Sequence, residues 1–185
     1  MNGMLGKRWT SGFTLPELMM VIGIAAILLT IGVPSFKYVT VSNRISTEVN
    51  GLLGDMQFAR SMAVKQGQSV TVCASTDQAT CSQNPVWQTG WIVFLDSNNN
   101  QTVDAPNEAV IRAQPGFSST DTLLPDNGAF TAITFNRAGY AATGAAATVT
   151  LQLHDAAATA SLIRCLAISP MGMLTTQKSG VGNCT

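Results

Sequence analysis

At 185 residues, with zero formal net charge, 46% hydrophobic and 11% charged side chains, the chain has room for one ordinary domain and is too apolar to remain disordered. All ten acidic residues follow Gly12, so loss of the segment bearing Lys7 and Arg8 leaves eight basic side chains against ten acidic ones. That balance excludes a general electrostatic pull toward nucleic acid or anionic lipid; any such role has to rest on a local patch.

The first predicted element is an apolar run over residues 13–36 with a single charge, Glu17. At about 1.5 Å per residue it is long enough to cross a bilayer core. Lys7 and Arg8 precede it, which places the N-terminus in the cytoplasm. A secretory signal would carry a shorter apolar core followed by small residues at a cleavage site; here the polar segment comes first. A carboxylate inside an apolar span costs roughly 2.5–3.5 kcal/mol on insertion scales. Glu17 therefore either snorkels to the membrane surface or pairs with a cation in an assembly.

The stretch Gly12-Phe13-Thr14-Leu15-Pro16-Glu17-Leu18 resembles the prepilin processing motif of type IV pilins and type II secretion pseudopilins. The resemblance implies a leader peptide over residues 1–12, removed by a prepilin peptidase that cuts between Gly12 and Phe13 and methylates the new amine of Phe13. It makes Glu17 the fifth mature residue, in the place of the glutamate that neutralises a neighbouring subunit's terminal amine. Pro34 stands where many pilins carry a helix-perturbing proline.

Beyond Pro34 the apolar pattern turns amphipathic. Ile45, Val49, Leu52, Met56, Ala59 and Ala63 follow a spacing that keeps them on one helical stripe, with Arg44, Glu48, Asp55 and Lys65 mostly off it. This predicts a helix packed on a sheet, stopping near Gly67. From Ser69 onward short runs rich in Val, Ile, Thr or aromatics predict strands over 70–74, 91–95, 110–114, 132–136, 147–153 and 161–168. The Ala-rich segment 141–147 reads as a loop. The expected fold class is α+β: a long N-terminal helix, its first half transmembrane over 13–36, packed on a small two-sheet antiparallel β domain within 37–185.

The patches Ala59-Arg60-Ser61, Val70-Thr71-Val72-Cys73, Gly90-Trp91-Ile92-Val93-Phe94 with Asp96, and Arg164-Cys165 through Ile168-Ser169-Pro170 to Gly172 are similar, in this order, to the GspH/FimT domain of minor pilins and pseudopilins. Four cysteines in an exported chain suggest two disulfides and permit three connectivities. Cys73–Cys81 with Cys165–Cys184 is the expected pairing because each closes a short local loop, the longer worth roughly 3 kcal/mol on the chain-entropy model. No Cys-x-x-Cys spacing occurs, and the single histidine, His154, is far in sequence from three of the thiols, so zinc is not expected.

Asp96, Asn98, Asn100, Thr102 and Asp104 alternate as in a calcium loop, but the sixth position is Gln101 and the twelfth Asn107. A plain Asx-rich connection accounts for the same residues. One histidine, no Gly-x-Ser-x-Gly elbow and no phosphate-cradling loop leave no argument for catalysis or a cofactor. Trp87 and Trp91 flank a turn where base stacking is one use, although Trp91, opening an apolar strand, is expected in the core.

The expectation is a structural minor pilin that initiates or joins a type IV pilus. The resemblance implies a single-pass protein of the bacterial inner membrane with a periplasmic domain. Its implied partners are other minor and major pilins, the inner-membrane assembly platform and the prepilin peptidase. One alternative is the equivalent minor pseudopilin of type II secretion. Another is a DNA-binding minor pilin for natural transformation, for which Arg164 and Lys178 are the available cations. That branch carries a Gly-Arg-x-Arg signature where this chain has Gly172-Met173-Leu174-Thr175, so nucleic acid is not an expected partner.

Overall fold

The computed structural model describes residues 12–126, 128–142 and 147–185, and Lys7 and Arg8 lie outside them. The chain divides into two units, one ending at Thr40 and the other Val41–Thr185. A single helix, α1 (Leu15–Gln66), contributes to both.

In the first unit Pro16 falls in the opening turn, where its missing N–H costs nothing. The hydroxyls of Thr30 and Thr40 donate back to the carbonyls of Ile27 and Phe36, at 2.8 and 2.9 Å. This satisfies them without water, as an apolar environment requires. Every side chain from Gly12 to Thr40 is exposed, among them Phe13, Met20, Ile24, Leu28 and Ile31.

In the second unit Ile45, Val49, Leu52, Met56, Ala59 and Ala63 are all buried in one core. The helix ends at Gln66, and Gly67 takes φ +67°, a left-handed conformation that suits glycine, while its N–H donates to the Ala63 carbonyl. Asp55 departs from the expected position. It is 6% exposed and lies in the core-facing side of the helix, where two donors meet its carboxylate.

Among the described residues nine strands form two antiparallel sheets. The first contains β1 (Val70–Ala74), β2 (Gly90–Leu95), β3 (Val110–Pro115), β5 (Ala132–Phe135) and β6 (Ala141–Ala142), in the order β3-β2-β1-β5-β6. The second contains β4 (Thr122–Pro125), β7 (Val149–His154), β8 (Arg164–Ile168) and β9 (Leu174–Lys178), in the order β4-β7-β8-β9. Strands β4, β6 and β9 carry no signal in the expected set. β6 falls in the segment read as a loop, of which 143–146 lie outside the described residues. The strand expected from 161 begins only at Arg164, because Ala160–Leu162 form a 3-10 turn.

Strands β1 and β2 are apolar on both faces because both are covered. Val70, Val72, Trp91 and Val93 join the main core, while Cys73, Ile92, Phe94 and Ala132 form a second cluster on the opposite face. The 96–108 connection covers that face. Asp96, fully buried, accepts from the Thr71 hydroxyl at 2.6 Å and from the N–H groups of Asn100 and Gln101. Glu108 accepts from the N–H and hydroxyl of Ser97 and the N–H of Asp104. Asp96 and Glu108 thus serve mainly the loop's own backbone, while Asp104 accepts from the side-chain amides of Asn98 and Asn100.

Trp87 and Trp91 are both buried, which leaves neither ring face open for base stacking. Trp87 stacks on Phe130 with ring centroids 5.8 Å apart and donates to the Phe130 carbonyl. Trp91 meets Phe117 edge-on and donates to Asp55 at 2.8 Å. Disulfides join Cys73 to Cys81 and Cys165 to Cys184; the second packs with Ile163 in a small cluster of its own.

Candidate assembly site

The N-terminal unit presents Gly12 and Phe13 ahead of the helix, Phe13 being 83% exposed. Glu17 lies in the first turn, where the helix dipole favours an anion, and its carboxylate accepts from the Thr14 N–H at 3.4 Å. Among the described residues it has no ion pair. An uncovered apolar surface of this extent is stable only against lipid or other apolar helices.

Among its described residues the second unit offers three polar clusters. The first ties the helix to the segment before β4. Arg44 donates from Nε and Nη2 to the two oxygens of the buried Asp121 carboxylate, both at 2.6 Å, a fork that fits a carboxylate. Glu48 lies beside them and accepts from the Ser119 hydroxyl at 3.2 Å. Its Oε2 is buried and lacks a partner when ionised, whereas a proton there supplies a donor for Asp121. Burial first, then the Asp121 charge, push the Glu48 carboxyl up from 4.5 to about 7, against the pull of Ser119 and Arg44. A raised pKa means the folded state holds the proton more tightly. The stabilisation is complete below 4.5 and is lost as pH rises through about 7. Unfolding free energy should therefore fall between pH 5 and 8, by about 1 kcal/mol once solvent screening of this half-buried group is allowed for. In Glu48→Gln that slope should flatten; an unchanged slope in denaturant titrations at the two pH values rules out Glu48 as its source.

The second cluster surrounds Gly172. Arg60 donates from Nε to the Gly139 carbonyl at 2.9 Å. Gly172, at φ +75°, packs so closely that an added Cβ would collide with that same carbonyl. Met171 and Met173 flank it and are 64% and 62% exposed. The loop in which the DNA-binding branch carries arginines is here a tight, apolar-flanked turn.

The third cluster brings Arg164 and Lys178 together, since they are directly paired across β8 and β9. Ser46 and Asn50 of α1 line the same cavity of about 220 Å³. Neither helix residue was singled out in the sequence. Their link to the cations requires recognising β9, whose polar Leu-Thr-Thr-Gln-Lys run carries no strand signal.

Comparison with known proteins places these features in context. The family model described as Type II transport protein GspH matches residues 48–172. Two crystal forms of the type IV minor pilin FimU from Pseudomonas aeruginosa share the fold. One is 22% identical with a TM-score of 0.57, covering 74% of this chain and 90% of FimU. The other is 21% identical with a TM-score of 0.51, covering 76% and 92%. No curated protein sequence matches the chain.

Proposed function

The chain belongs to the GspH family, and on that premise we propose that it is a minor, non-catalytic subunit of a type IV pilus-like filament, anchored in the membrane before assembly. The observation that carries this reading is an apolar helix exposed over its whole first unit, headed by one carboxylate and joined in sequence to a family domain. Lipid covers the helix in the membrane, and the helices of neighbouring subunits replace it in the filament. Glu17, in the first turn, is placed to meet the terminal amine of an adjacent subunit, which offsets the cost of its burial in an apolar bundle. The FimU likeness supports a role in initiating or joining a pilus. The family model's own description equally favours a minor pseudopilin of type II secretion, and the gene's neighbours (pilus minor pilins or secretion components) separate the two.

Maturation is tested at the predicted cleavage site. The wild-type protein extracted from membranes should begin at methylated Phe13, whereas Gly12→Leu should persist at full length. Intact-mass spectrometry of both decides it. Normal trimming of Gly12→Leu contradicts the assignment.

A further inference from the structure

We infer that the cavity between α1 and the β8–β9 hairpin is a docking pocket for one carboxylate side chain of a neighbouring subunit; this rests on the assembly reading. Arg164 and Lys178 occupy directly opposed positions on adjacent antiparallel strands. Like charges so placed repel, and among the described residues neither has an acidic partner. Both line the same cavity of about 220 Å³, together with Thr176, one strand position pair from Lys178 on the same face, and with Ser46 and Asn50 of the helix. No acidic side chain lines it.

The guanidinium is already oriented. Nη1 of Arg164 donates to the carbonyls of Ser161 and Ile163, at 3.1 and 2.8 Å, leaving its remaining N–H groups for a ligand. Preorganisation of this kind lowers the entropy lost on binding, and a fork of N–H donors fits a carboxylate bidentately. An incoming anion also removes the repulsion between the two cations.

The surroundings favour an isolated acid over a nucleic-acid backbone. Residues 41–185 carry seven basic side chains against nine acidic ones, so the unit as a whole repels a polyanion. Tight duplex binding needs several phosphate contacts, whereas this pocket offers two cations and a volume suited to one side chain. A local positive pocket on a net-acidic domain fits an acid presented by another subunit.

The test uses the full chain in cells that assemble the filament, with a photo-crosslinking residue at Asn50, on the pocket wall, or at Ile22, in the apolar helix. The Asn50 probe should crosslink to one subunit beside an Asp or Glu. Lys178→Glu, on an exposed side chain, and Arg164→Glu should each cut that yield about tenfold, the scale of one well-placed charge pair, while the Ile22 crosslinks persist. Changing the partner's acid to lysine should restore the yield with Lys178→Glu. Unchanged Asn50 crosslinking in both charge variants overturns the pocket, as does an Asn50 adduct that is DNA. Loss of the Asn50 adduct alone in the unmodified background sinks only this inference. Loss of the Ile22 adduct as well sinks the assembly reading with it.

Discussion

Asp55→Ala is expected to lower the stability of the second unit by about 3 kcal/mol. The carboxylate is 6% exposed and accepts from the indole N–H of Trp91 at 2.8 Å and from Nη1 of Arg112 at 2.6 Å. Alanine leaves a fully desolvated indole N–H without an acceptor, which alone costs about 1–3 kcal/mol. It also opens space beside Trp91 and releases the tie between the helix and β3. Arg112 limits the loss on its own side. Its side chain is 46% exposed and rests over Phe58, 4.2 Å from the ring centroid, so its charge can recover water. Asp55→Asn keeps an acceptor for Trp91 and should recover about half of the loss, and Arg112→Ala should cost less than Asp55→Ala. Chemical denaturation of the mature chain measures all three. A change below about 1 kcal/mol for Asp55→Ala contradicts the view that this carboxylate anchors the helix to the sheet.

Asp55 also marks a limit of reading structure from pattern. The helical stripe was legible because apolar residues repeat at the helix period, and the same logic assigns any interleaved charge to the outside. A buried acid satisfied by tryptophan and arginine has no such signature, since both donors lie far away in sequence. The paired strands β1 and β2 were legible as continuous apolar runs because both faces are covered. β4, β6 and β9 were not, for three separate reasons. β4 ends in Pro125 at a sheet edge, β6 is two alanines long, and β9 is a polar edge strand with little to bury. Missing β9 had a cost beyond the fold. Without β9 the sequence does not show that Arg164 and Lys178 pair across adjacent strands beside Ser46 and Asn50. The apolar Leu162 and Ile163 extend the predicted strand back to 161, yet Leu162 is buried from a 3-10 turn. Glu17 stands out in the sequence for a different reason: a lone carboxylate in an apolar span is costly.

We propose that Glu17 serves assembly rather than insertion. Valine at this position removes a charge whose burial in an apolar span costs roughly 2.5–3.5 kcal/mol on insertion scales, so Glu17→Val should enter the membrane at least as well as the wild type. In a packed bundle the same change leaves a neighbour's terminal ammonium without its counter-charge in a medium where water cannot replace it. The expected loss is therefore confined to the assembled state and amounts to about tenfold or more. The decisive measurement is the ratio of chain in purified filaments, or in the minor-subunit complex, to chain in the membrane, for wild type and Glu17→Val side by side. Membrane levels should be equal and the ratio at least about tenfold lower for the variant; equal ratios would contradict a role for Glu17 in assembly.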